Sequence, residues 1–278
     1  MNRFLIALAM SCVLVAPATS QTPKGELKAG AVAHTTESRP LVVSQALVGI
    51  PSSLTRAAVY VGPVNAMPAT LAPGKVPLVV FLHGSSGLGL KAIGDWQHWL
   101  ATLGIATIAP DSFALKGRLT YSSPVDKDTY EKVHALRTSE IDLVLEAVRA
   151  MPWIDTSRMV LAGTSEGAVP VARYRGDAFI GRIIFSWSCE DNYFVHSHAT
   201  AIPDNQPTLN IISSTDPYFS RSNSWLGASP AALGHCGEQL KGNKKASVVL
   251  VPGAPHTVLM FDQAKAPVEG FLRGLFGI

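Results

Sequence analysis

Met159-Val160-Leu161-Ala162-Gly163-Thr164-Ser165-Glu166-Gly167 is the stretch on which the fold turns. Met159 to Ala162 is apolar without interruption, as expected of a strand buried on both faces. Gly163 to Gly167 then matches G-x-S-x-G. A strand that turns sharply into a helix needs small residues two before and two after the serine, because larger side chains would strike neighbouring backbone. The serine is left projecting from a strained corner. Short Gly/Ser patterns also arise in plain turns. Here the strand directly before and the helix-compatible residues after set this one apart.

Working outward, the same kind of apolar run recurs. Val76 to Leu82 is one and ends at His83-Gly84; Ile105 to Ala109 is another. Downstream, Ile180 to Trp187, Thr208 to Ser213 and Ser247 to Val251 read as further strands. Leu41 to Val43 and Ala57 to Val61 read as short lead-in strands. Helical spacing separates them. Ile93 to Leu103 is one such segment, and Tyr130 to Met151 is the longest. In the latter Ile141, Val144, Leu145 and Val148 mark one buried face. A last helix is predicted over Phe261 to Leu275. Strands alternating with helices predict an α/β fold with a mostly parallel central sheet and helices on both faces. The expected single domain covers 41–278.

Bulk composition agrees. Of 278 residues, 47% are hydrophobic and 15% charged, which excludes a disordered chain. The net charge of +3 comes without a dense Lys/Arg run, so nucleic acid is not an expected partner. Residues 1–20 read as a signal peptide: Arg3 supplies the basic start, Phe4 to Ala16 the apolar run, and Ala18 and Ser20 the small residues before a cleavage point. A secreted or periplasmic location follows, with no stable membrane anchor after cleavage. Residues 21–40 are polar and read as a flexible arm. Losing Cys12 with the leader leaves Cys189 and Cys236, an even pair that suggests one disulfide. Closing so long a loop would stabilise the fold by about 3–4 kcal/mol.

A serine hydroxyl is a poor nucleophile until a base removes its proton. In an open α/β sheet the carboxyl ends of strands face the site. Asp216 stands just past the strand ending at Ser213, and His256 just past the strand ending at Val251. Ser165, Asp216 and His256 therefore form the expected catalytic set. Asp216 is preferred as the acid over Glu190, Asp191 and Asp204. His256 is preferred as the base over His196, His198 and His235. The oxyanion donors expected are the N–H groups of Glu166 and, from the loop His83-Gly84-Ser85-Ser86-Gly87, Ser85. Ser86, Phe113, Trp187 and Tyr218 are expected in the pocket wall. No metal or cofactor is expected; the His196-Ser197-His198 pair has no second cluster at ligand spacing.

His83-Gly84-Ser85-Ser86-Gly87, Asp111-Ser112-Phe113 with Arg118 following, the Ser165 elbow, Asp216 and Pro255-His256 together resemble the dienelactone hydrolase family of α/β-hydrolases. The resemblance runs from about residue 76 to the C-terminus. It implies a compact hydrolase with little or no cap, acting on small ester or lactone substrates without a cofactor. Dienelactone hydrolases carry cysteine at the elbow; Ser165 here points to ordinary esterase chemistry. A peptidase or amidase on the same fold, or a non-catalytic exported binding protein, are the alternatives. Pro170, five residues past the serine, falls inside the expected helix and removes an N–H there. Oligomeric state is not legible.

Overall fold

The computed structural model describes residues 24–221, 223 and 232–278. The expected signal peptide, residues 1–20, lies outside them. The strands are β1 (Leu27–Lys28), β2 (Leu47–Ile50), β3 (Tyr60–Pro63), β4 (Val76–Leu82), β5 (Ala106–Ala109), β6 (Thr120–Tyr121), β7 (Ile154–Thr164), β8 (Gly181–Phe185), β9 (Thr208–Ser213) and β10 (Ala246–Val251). The helices are α1 (Ser38–Ser44), α2 (Ser52–Thr55), α3 (Lys91–Thr102), α4 (Lys127–Arg149), α5 (Ala168–Arg173) and α6 (Asp262–Phe276).

Eight strands form one sheet in the order β10-β9-β8-β7-β4-β5-β2-β3. From β10 to β5 all neighbours are parallel; β2 is antiparallel to both β5 and β3. The continuous apolar runs have a physical cause. On β4, Leu78, Val80 and Leu82 enter the core beneath α4 and α5, while Val79 and Phe81 enter the core beneath α3 and α6. Both faces are covered, so every position must be apolar. This is the mostly parallel α/β sheet that the sequence predicts. Among the described residues the connections between β7 and β10 hold no α-helix except α5.

Local chemistry sets the helix ends. Asp126 caps α4 by accepting the Thr129 N–H at 2.8 Å. Gly277 closes α6 in the left-handed region at φ 68°. Arg182, buried on β8, donates Nη1 to the carbonyls of Val171 and Ala172 at the end of α5. Burial pulls its pKa down to about 10. Pro170 is explained by where α5 begins. A 3-10 turn covers Ser165–Gly167, and the α-helix starts at Ala168. Pro170 is thus the third helical residue, where an N–H has no intrahelical acceptor to lose.

Two expectations fail at the N-terminal side. Leu41 to Val43 is helix within α1, not strand, with Val42 buried against Leu143 of α4. Three apolar residues in a row carry no period that separates the two. Residues 24–40 are not a loose arm. Gly25 N–H donates to the Pro124 carbonyl at 2.7 Å, Leu27 and Lys28 pair with Tyr121 and Thr120, and the Ala31 carbonyl accepts the Leu119 N–H at 2.9 Å. His34 Nε2 meets buried Glu140 at 3.1 Å. The segment looks loose in sequence because backbone bonds and one imidazole hold it, rather than apolar side chains.

Candidate active site

β4 and β7 are neighbours with Leu82 opposite Gly163, so the His83 loop and the Ser165 corner leave the sheet side by side. This is also where the chain reverses its direction of travel across the sheet, β5 lying on one side of β4 and β7 to β10 on the other. Such a reversal opens a crevice at the carboxyl ends of the strands.

Ser165 adopts φ 54°, a left-handed backbone that a non-glycine residue occupies only under constraint. The two flanking glycines supply the constraint. A Cβ on Gly163 would lie 2.4 Å from the Gly167 carbonyl oxygen, and one on Gly167 would lie 2.3 Å from that of Leu82. The steric reading of the motif therefore holds atom by atom.

Asp216 follows β9 and is fully buried. Its Oδ1 accepts the N–H groups of Tyr218 at 2.9 Å and Phe219 at 3.0 Å. Its Oδ2 lies 2.7 Å from Nδ1 of His256, which follows β10. A carboxylate accepts, so Nδ1 carries a proton, and in the neutral ring Nε2 keeps its lone pair. Nε2 is buried and has no hydrogen-bond partner. Two hydroxyls from strand ends hold the histidine loop: Ser186 donates to the His256 carbonyl and Ser213 to that of Ala254, each at 2.5 Å. The rival acids are engaged elsewhere. Glu190 accepts the N–H groups of Leu233 and Gly234, Asp191 faces Lys127, and Asp204 lies beside Gly242. His196 pairs with Asp128, and His235 Nδ1 accepts the Gly237 N–H.

Ser165 and His256 line one cavity of about 310 Å³, together with Gly84, Ser85, Ser86, Tyr121, Phe194, Tyr218 and Phe219 among others. Ser86 and Tyr218 are among these lining residues, with the Tyr218 ring edge-on to His256 at 4.6 Å. Phe113 and Trp187 do not line this cavity. Phe113 is 39% exposed, packs beside Gly87 and lies under the Arg118 guanidinium at 4.6 Å. Trp187 is fully buried, and its carbonyl accepts from the Asn210 side-chain amide at 3.1 Å. Both follow strands, but the local turn sends each ring away from the crevice. Cys189 and Cys236 form a disulfide across 47 positions, with their Cα atoms 4.7 Å apart.

Sequence reasoning missed a buried charge cluster behind the serine. Glu166 is fully buried; it accepts from Arg118 Nη2 at 2.5 Å and from the Tyr121 hydroxyl at 2.9 Å. Arg137 Nε lies 3.7 Å from Glu166, and its Nη1 forms an ion pair with Glu140 at 3.1 Å that lacks hydrogen-bond alignment. Arg137 Nη1 also donates to His83 Nε2 at 2.9 Å. Since Arg only donates, His83 is the neutral Nδ1–H tautomer, and that proton goes to the Gly84 carbonyl at 2.6 Å. Burial, reinforced by the Arg137 charge, holds the His83 pKa well below its usual range. Burial, with Glu166 next to it, raises that of Tyr121. The cluster clamps both segments flanking the crevice: the Gly84 turn through His83, and the residue after Ser165 through its side chain. One signal was available. Arg137 and Glu140 fall on the same helical face as Tyr130, Val133, Ile141, Val144 and Val148, where an apolar residue is expected.

Among the described residues no helix is long and apolar enough to cross a membrane. No family model and no curated protein sequence matches the chain. In shape it is similar to a candidate dienelactone hydrolase from Klebsiella pneumoniae subsp. pneumoniae, with TM-score 0.53 and 16% identity over 74% of this chain and 88% of that one. It is similar to Est1E from Butyrivibrio proteoclasticus, with TM-score 0.50 and 16% identity over 84% and 93% of the two chains. A dienelactone hydrolase-like promiscuous phosphotriesterase from metagenomic libraries gives TM-score 0.50 and 18% identity over 74% and 89%. At these identities what is shared is the α/β-hydrolase fold.

Proposed function

We propose that this α/β-hydrolase-fold chain is a serine hydrolase that cleaves carboxylic esters or lactones through an acyl-enzyme. The observation that carries the reading is the His256 imidazole. Its Nδ1–H is held by buried Asp216, and its Nε2 is unpaired beside the cavity that Ser165 also lines.

Ser165 Oγ attacks the substrate carbonyl while His256 Nε2 takes its proton. Asp216 keeps the ring in the productive tautomer and stabilises the imidazolium. The N–H groups of Glu166 and Ser85 receive the developing oxyanion. Such donors must be rigid before the reaction begins, and the Glu166 clamp and the His83–Gly84 bond supply that rigidity. His256 then returns its proton to the leaving alcohol, and water, activated by the same nitrogen, releases the acid. Export to the periplasm or medium is part of the proposal; it rests on the pattern of residues 1–20 and on the Cys189–Cys236 disulfide.

The test is Ser165→Ala. Ester hydrolysis and fluorophosphonate labelling should both vanish while the circular dichroism spectrum stays unchanged. Retained turnover in that variant ends the mechanism, and a wild-type protein that takes up no label is a binder rather than an enzyme.

A further inference from the structure

Among the described residues the wall of the cavity beside Ser165 holds no lysine, arginine, aspartate or glutamate. The described lining residues are glycine, serine, threonine, leucine, phenylalanine, tyrosine and His256. The part of the 214–236 connection outside the described set, residue 222 and residues 224–231, includes no Lys, Arg, Asp or Glu.

Two arginines stand behind the serine corner, and neither is available to a ligand. Arg118 donates Nε to Ser112 at 2.8 Å, Nη1 to the Leu119 carbonyl at 3.1 Å and Nη2 to Glu166 at 2.5 Å. Arg137 donates to the ring and carbonyl of His83 and faces Glu140 and Glu166. Both side chains are buried, and two carboxylates answer their two charges. The opposite wall is aromatic: Phe219 stacks with Tyr193 at 6.1 Å and meets Phe194 edge-on at 5.2 Å, and Tyr218 packs on His256. Phe194 and Phe219 are nearly fully buried, so Tyr121, Tyr193 and Tyr218 present most of the ring surface, which suits a flat apolar group. The cavity volume, about 310 Å³, is at the small end for ligand sites.

We infer that the hydrolase proposed above takes small uncharged esters bearing an aryl or similarly flat group, and discriminates against the same esters when they carry a carboxylate. The inference rests on the hydrolase reading and adds charge selectivity to it. An anion entering this cavity sheds water and meets no lysine or arginine among the described lining residues. It also approaches the Asp216 carboxylate, which repels it through the histidine.

The experiment compares kcat/KM for p-tolyl acetate and 4-acetoxybenzoate, which differ by a methyl against a carboxylate on the same ring. The neutral ester should be favoured by about tenfold or more. Leu90 lies on the cavity rim and is exposed. Leu90→Arg supplies the missing cation and should narrow the ratio by about threefold or more, chiefly through KM for the anion, and less so in high salt. Equal kcat/KM for the two esters in the wild type overturns the charge selectivity and leaves the Ser165 chemistry standing. Fluorophosphonate labelling without turnover of either ester overturns the substrate class. Absence of labelling overturns the hydrolase reading itself, and this inference with it.

Discussion

Ser165 holds its left-handed backbone because Gly163 and Gly167 let three segments pass at contact distance. Gly167→Ala would push a methyl into the Leu82 carbonyl, and backbone cannot rotate away as a side chain can. The expected loss is about 2–4 kcal/mol of stability, read as a lower urea midpoint. An unchanged midpoint would mean that the corner is free to relax. This much is legible from sequence, because a five-residue motif states its own steric demand. Asp216 and His256 are legible for a related reason: each follows a strand whose apolar run announces its end. Phe113 and Trp187 occupy the same kind of position, but where a ring points after a strand depends on the next two or three dihedral angles. No period in the sequence reports those angles.

Among the elements, α4 is the one that sequence reading understates. Its apolar stripe predicts the helix and its buried face, but Arg137 and Glu140 sit in that face as charged residues. Their partners, Glu166, His83 and His34, come from segments far away in the chain, and Glu166 in turn pairs with Arg118. Only the assembled fold brings them together. Removing one member leaves a buried charge without its answer. Arg118→Met should therefore cost about 3–5 kcal/mol in urea unfolding, and adding Glu166→Met should recover part of that loss. If the double variant is as unstable as the sum of the two single losses, the pair is not energetically coupled. The strands β4, β5, β8, β9 and the 159–164 part of β7 were legible because burial on both faces leaves largely apolar runs; β10, at the sheet edge with Ser247 and Leu250 exposed, was legible from its run Val248 to Val251 alone. The helix α1 was not, since Leu41 to Val43 fits either a strand or one helical turn.

For the whole molecule, two buried histidines tie stability to pH. Burial, together with Arg137, lowers the pKa of His83; burial also lowers that of His134, against the opposing pull of Glu131. A histidine depressed in the folded state stays neutral there while the unfolded chain takes up a proton near pH 6.5. The unfolded state then binds more protons, so stability is fully present above about pH 6.5 and is lost as pH falls below it toward the folded values. Thermal midpoints measured from pH 8 to pH 5 should hold steady and then drop, even in Ser165→Ala; a flat profile would mean that these imidazoles are not sequestered. The segment before α1 bears on the same cluster. β1 lies against β6, whose Tyr121 lines the cavity and donates to Glu166, and His34 sits on Glu140. A shortened chain starting at residue 41 would keep the whole eight-stranded sheet and yet unclasp the crevice from behind. Glu140 would keep Arg137 but lose its His34 hydrogen bond, and Tyr121 would be deprived of its neighbouring strand, so measurements gathered on such a trimmed protein would describe a differently supported crevice.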